Sequence, residues 1–303
     1  MRDLQLGYLG FSSTELSQTA AFFSEVLGVE LLEGGHEGAR LRLDDRVWRF
    51  SVEDGQANDV SYVGFDVPDL ETLRQLGERL ESLGFAVAEG SETLVEDRGV
   101  TRLLVVTDPD GLRVELAYGA RSSAGRPYVS PIGARFVTGR LGAGHVVLST
   151  RDLAGCLRFY REGLGFRVTD FADIPADTGE VRQVTFLRCN PRHHSLALVP
   201  ADLPRRLRHI MVELASVDDV GRLYDRALAA GAVVRGIGRH TNDGMLSFYA
   251  NAPGDIEIEV GCEGRLIDDS EWTISRYAGR PSSWGHQVVR GREIQIEKRK
   301  ASS

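Results

Sequence analysis

Five of the chain's seven histidines, His145, His193, His194, His209 and His240, fall between residues 145 and 240. Imidazoles transfer protons near neutrality and ligate transition metals, yet a lone strand histidine is more often a satisfied polar residue than a ligand. The chain supplies its own reference, because it repeats itself. LGYLGFSS (6–13) aligns with AGHVVLST (143–150), DVSYVGFDV (59–67) with LRHIMVEL (207–214), and DPDGLRVEL (108–116) with APGDIEIEV (252–260). At matched positions Tyr8 is replaced by His145 and Tyr62 by His209, while Glu115 matches Glu259. Two imidazoles and one carboxylate suit Fe(II) bound on one face with positions left open; Mn(II) is a chemically plausible substitute, whereas zinc usually sits in closed or hydrolytic sites. Glu115 lacks the two histidines and is expected to be structural.

The first two pairs read as strands leading toward helices, and the third as hairpin turns running into a last strand that carries a Glu. FFSEVLG (22–28) and FYREGLG (159–165) follow the first pair at one spacing, with helical periodicity behind Ser, Thr or Asp caps and glycine exits at Gly28 and Gly165. Amphipathic helices are expected over 69–83 and 216–230, closed by Gly84 and Gly231. The predicted architecture is α+β, four repeated βαβββ modules in two tandem domains. The boundary falls in the Gly/Pro/Ser-rich stretch from Arg121 to Gly133. This gives an N-terminal non-catalytic domain over 1–134, a C-terminal catalytic one over 135–290, and a disordered polar tail over 291–303.

Composition removes several function classes. The 303-residue chain carries a net charge of −8, against the basic face of a nucleic-acid binder. Cys156, Cys189 and Cys262 form no CxxC pair, which argues against a zinc ribbon and for reduced thiols in a cytoplasmic protein. No apolar run reaches membrane-spanning length, and MRDLQLGYLGF has no signal-peptide core. His36 in the GGHEG loop reads as a surface residue, and His286 near Trp284 as a packing or tail-docking residue.

GHV (144–146), NPRHHS (190–195), RHI (208–210), GRHTND (238–243) and SFY (247–249) leading to Ile258-Glu259 resemble the type I extradiol dioxygenases of the vicinal oxygen chelate superfamily. The similarity to 2,3-dihydroxybiphenyl 1,2-dioxygenases spans about residues 4–286. It implies tandem vicinal-oxygen-chelate domains, with His145, His209 and Glu259 as iron ligands. It also implies His194 as the acid–base and oxygen-stabilising residue, His240 and Tyr249 as hydrogen-bond partners of a bound diol, and Asp243 as a partner orienting an imidazole. Read without the resemblance, His240 and Tyr249 suit a structural hydrogen-bonding role equally well. Strand alternation would let only one of His193 and His194 face the metal. Two departures stand out: Asp255 where the family has Gly or Pro, and a short segment from Phe171 to Val181 near the substrate mouth.

The resemblance implies ring cleavage of a catechol-type substrate by O2 next to the diol, in a homo-oligomer with no nucleic-acid or membrane partner. Val147, Ile174, Phe186 and Pro281 are expected to wall the pocket for a ring substituent. One scaffold hosts many chemistries, so two alternatives accompany this reading. A metal-dependent glyoxalase or fosfomycin-resistance-type isomerase or transferase needs no His194, His240 and Tyr249 set. A non-catalytic drug-binding protein needs no ligand triad.

Overall fold

A computed structural model describes residues 3–32, 38–123, 125–175, 179–279 and 281–289. The expected tail and His36 lie outside these residues. The first module comprises β1 (Gln5–Ser13), α1 (Leu16–Glu25), β2 (Glu30–Leu32), β3 (Ala39–Arg42) and β4 (Phe50–Asp54). The second comprises β5 (Asp59–Val67), α2 (Leu70–Ser82), β6 (Val87–Glu89), α3 (Glu92–Arg98), β7 (Arg102–Thr107) and β8 (Arg113–Tyr118). In the third, β9 (His145–Thr150) precedes α4 (Leu153–Leu157), which runs into a π-helical turn over Arg158–Gly163; β10 (Arg167–Pro175), β11 (Val181–Arg188) and β12 (Leu196–Pro200) follow. The fourth is β13 (Leu207–Glu213), α5 (Val217–Ala229), β14 (Val233–His240), β15 (Leu246–Ala252) and β16 (Ile256–Cys262), with β17 (Ser275–Ala278) and β18 (Ser282–Gly285) after it.

The strands form two sheets, ordered β2-β3-β4-β1-β5-β8-β7-β6 and β17-β10-β11-β12-β9-β13-β16-β15-β14-β18. The order 4-1-5-8 of the first recurs as 12-9-13-16 in the second, so the sheets are copies in topology, with β17 and β18 added to the outer edges. One buried hydrophobic cluster runs through both halves, and Phe65 of the first meets Phe166 of the second edge-on at 5.1 Å.

Local chemistry accounts for the helices. Asp69 caps α2 by accepting from Thr72 N at 2.7 Å, and Ser216 caps α5 by accepting from Asp219 N at 3.2 Å. Leu73, Leu76 and Leu80 of α2, and Val220, Leu223 and Ala227 of α5, face the core at helical spacing. Gly84 and Gly231 end these helices with φ of +87° and +68°, a left-handed turn that a side chain would oppose. Helix α1 departs from expectation: its cap position is Glu15, which makes no side-chain cap, and Ser13 Oγ instead accepts from Glu15 N at 3.1 Å. Asp255 sits at φ +57°, the left-handed conformation for which glycine is the usual choice. Its turn packs on the first half, where a Cβ on Gly254 would meet Asn58 and Ser13, so this departure lies away from the β16 carboxylate.

Candidate metal centre and active site

Sheet register brings the matched residues together. His145 faces Met211 across β9 and β13, and Met211 faces Glu259 across β13 and β16; His209 shares the Met211 face two residues earlier. The result is a triangle of donor atoms with equal sides. His145 Nε2 and His209 Nε2 are 3.4 Å apart, and each lies 3.4 Å from Glu259 Oε2. A facial set with bonds of about 2.0–2.2 Å spaces its donors by about 3 Å, so these three residues fit a small divalent ion. Burial drives the His145 pKa down to about 4 against the pull of Glu259, which keeps its Nε2 lone pair free for ligation. Its Nδ1 is buried without a partner among the described residues.

Three groups flank the triangle. The His194 ring lies 3.9 Å from that of His145, centroid to centroid. Burial, reinforced by the neighbouring histidines, holds its pKa well below the usual value, so it is a neutral imidazole. His193 Nε2 is 3.0 Å from Asp170 Oδ2, and His193 Nδ1 is 3.1 Å from His194 Nδ1. An ionised Asp170 only accepts. The chain of bonds therefore runs from His194 Nδ1–H to His193 Nδ1 and from His193 Nε2–H to Asp170, leaving His194 Nε2 with its lone pair. Asp243 Oδ2 stands 3.9 Å from His194 Nδ1, beyond hydrogen-bond reach, and Asp243 Oδ1 accepts from Met245 N at 3.0 Å.

On the other side His240 Nε2 lies 2.7 Å from Tyr249 Oη and 3.1 Å from Glu259 Oε1. Burial opposes protonation of His240, and Glu259 outweighs it, raising the pKa to about 9. Ser247 Oγ donates to Glu259 Oε1 at 2.6 Å. Ser247 and Tyr249 share a face, whereas Phe248 points into the core against Tyr224.

One expectation needs correction. His193 and His194 precede β12 rather than alternating on it; the loop turns His193 toward Asp170 and Trp272 and His194 toward the triangle. His286 packs and docks the C-terminal segment, as expected, and does so beside the site. It adopts φ +50°, lies 4.4 Å from the His240 ring, and its Nε2 is 3.1 Å from Ser247 Oγ. No pattern in the sequence marks it, because its approach depends on β18 pairing with β14.

The first half occupies the equivalent place differently. Tyr8 faces Gly64, and Gly64 faces Glu115, the same rows as in the second half. Tyr8 Oη donates to Glu115 Oε2 at 2.6 Å. Arg98, from the C-terminus of α3, donates to both Glu115 oxygens at 2.8 and 3.1 Å and covers the Tyr62 ring at 3.9 Å. Leu9 faces Phe50 as Val146 faces Leu196, which places Trp48 where the second half has His194. A guanidinium thus neutralises the buried carboxylate in the first half.

A cavity of about 680 Å³ opens from the triangle. Val147, Ile174, Phe186 and Pro281 all line it, with Asp243 and the ends of the hairpin β10–β11. The Phe186 ring meets His194 edge-on at 4.9 Å.

Comparison with known proteins agrees with this geometry. Residues 142–260 match the Glyoxalase/Bleomycin resistance protein/Dioxygenase superfamily, and residues 6–55 match the first domain of dihydroxybiphenyl dioxygenase BphC. The chain is 39% identical to a biphenyl-2,3-diol 1,2-dioxygenase of Metapseudomonas furukawaii, over 97% of this chain and 96% of that one. It is likewise 39% identical to an iron-dependent extradiol dioxygenase of Rhodococcus jostii, over 94% and 97%. Among solved structures, a catechol 2,3-dioxygenase superposes with a TM-score of 0.88 at 28% identity, covering 96% of each chain. The chain therefore belongs to the extradiol dioxygenases of the glyoxalase/bleomycin resistance protein/dioxygenase superfamily.

Proposed function

We propose that residues 135–290 form the catalytic domain and 1–134 a non-catalytic partner, and that the ring-cleavage site is a single Fe(II) centre held by His145, His209 and Glu259. Mn(II) fits the same donors. The observation that carries this is the triangle of three donor atoms at 3.4 Å, whose place in the other half is taken by the Arg98–Glu115 pair. Bound there, the ion would supply open coordination positions and a path for electrons between a catechol-type diol and O2.

The protein's own groups manage protons and orientation. His194 Nε2, left with its lone pair by the His193–Asp170 chain of bonds, takes a proton from one diol hydroxyl and holds it for delivery to oxygen later in the cycle. Tyr249 and His240 hydrogen-bond a diol oxygen and hold the ring in place. The walls at Val147, Phe186, Ile174 and Pro281 keep water from the ring and receive a substituent beside the diol. The product is an open-chain semialdehyde or keto acid carrying both atoms of O2.

Three buried, unbridged cysteines fit a reducing, cytoplasmic setting, and a homo-oligomer is the expected form. Among the described residues no helix is long and apolar enough to cross a membrane. The test of function is anaerobic loading with Fe(II) or Mn(II), then 3-substituted catechols with O2. A yellow ring-fission product is expected from the loaded protein; its absence with both metals across the series refutes the reading.

A further inference from the structure

The cavity has a charge pattern that the ring chemistry does not use. Along β11, Phe186, Val184 and Arg182 lie on alternate residues, and all three line the cavity. Phe186 stands beside His194. Arg182, four residues along and about 13 Å away by strand rise, faces Ile174 across the hairpin at the mouth.

On the opposite wall Arg208 immediately precedes His209 and is the extra residue of a β-bulge. Leu207 faces Leu148 while His209 faces Val147, which leaves Arg208 without a partner on β9. Bulges re-aim side chains, and Arg208 lines the cavity too. The first half has the same irregularity, with Ser61 between Val60 and Tyr62, so the bulge belongs to the fold and the arginine to this site.

Neither arginine has an ion pair or side-chain hydrogen bond among the described residues. The carboxylates that line this cavity are already engaged. Glu257 accepts from Arg235 at 3.0 Å, Asp243 from Met245 N, and Glu259 belongs to the triangle. Arg235 is committed to Glu257 and to the Tyr249 ring, 4.7 Å away. In a chain of net charge −8, the cavity therefore has two guanidinium groups that no carboxylate of its lining pairs with, the local field that draws in an anion.

We propose that the substrate is a catechol bearing a carboxylate on a short apolar side chain beside the diol, with Arg182 and Arg208 receiving the carboxylate. This rests on the extradiol reading and deepens it. The diol lies at the triangle, the side chain runs along Phe186, Val184 and Ile174, and its charged end reaches the two guanidinium groups. Arginine suits this role because its planar fork pairs bidentately with a carboxylate.

The test compares a 3-(carboxyalkyl)catechol with its methyl ester and with a 3-alkylcatechol of equal length. Anaerobic titration of the iron-loaded protein measures Kd, and turnover in air measures kcat/KM. The wild type should favour the acid over the ester by roughly tenfold in both, a difference of about 1.4 kcal/mol. Arg182→Gln and Arg208→Gln should each lower that ratio several-fold, and Arg208→Glu should invert it. Raising salt from about 0.1 to 1 M, which shortens the screening length from about 10 to 3 Å, should shrink the ratio as well. An ester cleaved as well as the acid, or a double Gln variant that keeps the acid preference, overturns the proposal while leaving ring cleavage in place. Failure to cleave any of the three compounds removes both readings.

Discussion

Arg98→Met removes the cation that stands in the first half where the second half has its donor triangle. Glu115 is fully buried, and Arg98 supplies two of its hydrogen bonds, at 2.8 and 3.1 Å. What remains is the Tyr8 hydroxyl at 2.6 Å and Arg113 at 2.7 Å. Stripping one partner from a buried ion pair costs about 3–5 kcal/mol. Arg113 keeps part of the compensation, so about 3 kcal/mol is expected. At about 2–4 °C per kcal/mol for a large domain, Tm should fall by roughly 6–12 °C in calorimetry. Adding Glu115→Gln should recover much of that loss, because no buried charge is then left unpaired. Iron content should stay at one per chain throughout. A Tm within about 2 °C of wild type in Arg98→Met, at most about 1 kcal/mol on the same scale, would show that Arg98 does not neutralise Glu115. The logic can also be reversed: Tyr8→His and Tyr62→His in an Arg98→Ala background should let a second ion bind, read by metal analysis.

His145→Ala, His209→Ala or Glu259→Ala should each lose iron and turnover in a protein that still folds, whereas Glu115→Gln should keep its iron; wild-type iron in His209→Ala would sink the assignment. His194→Gln should hold iron and catechol while turnover falls by roughly 10²–10⁴, the range for a positioned acid–base group; loss of iron would make it a ligand instead. Catechols with a bulky 3-substituent should show higher kcat/KM than plain catechol, since the walls around Phe186 and Ile174 have nothing to bury otherwise. The metal-free protein should be most stable near neutrality. His240, raised to about 9, stabilises below its unfolded value of about 6.5 and loses that contribution as pH climbs through 9. His145 and His286, lowered to about 4, cost stability as pH falls from about 6.5 to 4, because the unfolded chain takes up protons first. His240→Gln should flatten the alkaline side of a Tm–pH curve; an unchanged slope would refute the linkage.

The duplication was legible because its signals are local. Turn residues, helix caps and apolar periods recur at fixed spacing, and each acts over a few neighbouring residues. That is why the bounds of α2 and α5, and the matches of Tyr8 with His145 and Tyr62 with His209, could be read along the chain. Comparing the halves also separated Glu259 from Glu115 by what stood at the matching positions.

The partners of those residues could not be read that way. Arg98 is one of 36 basic residues, and only the placing of α3 against the first sheet puts it on Glu115. His286 reaches Ser247 and His240 because β18 pairs with β14, and His193 meets Asp170 because β10 runs past the loop before β12. Arg208 faces the cavity because one residue bulges out of the β9–β13 register. Composition and period specify which face of an element is buried. Which charged side chain ends beside which carboxylate is decided by strand register and by loop conformation, both set by contacts between residues far apart in the chain.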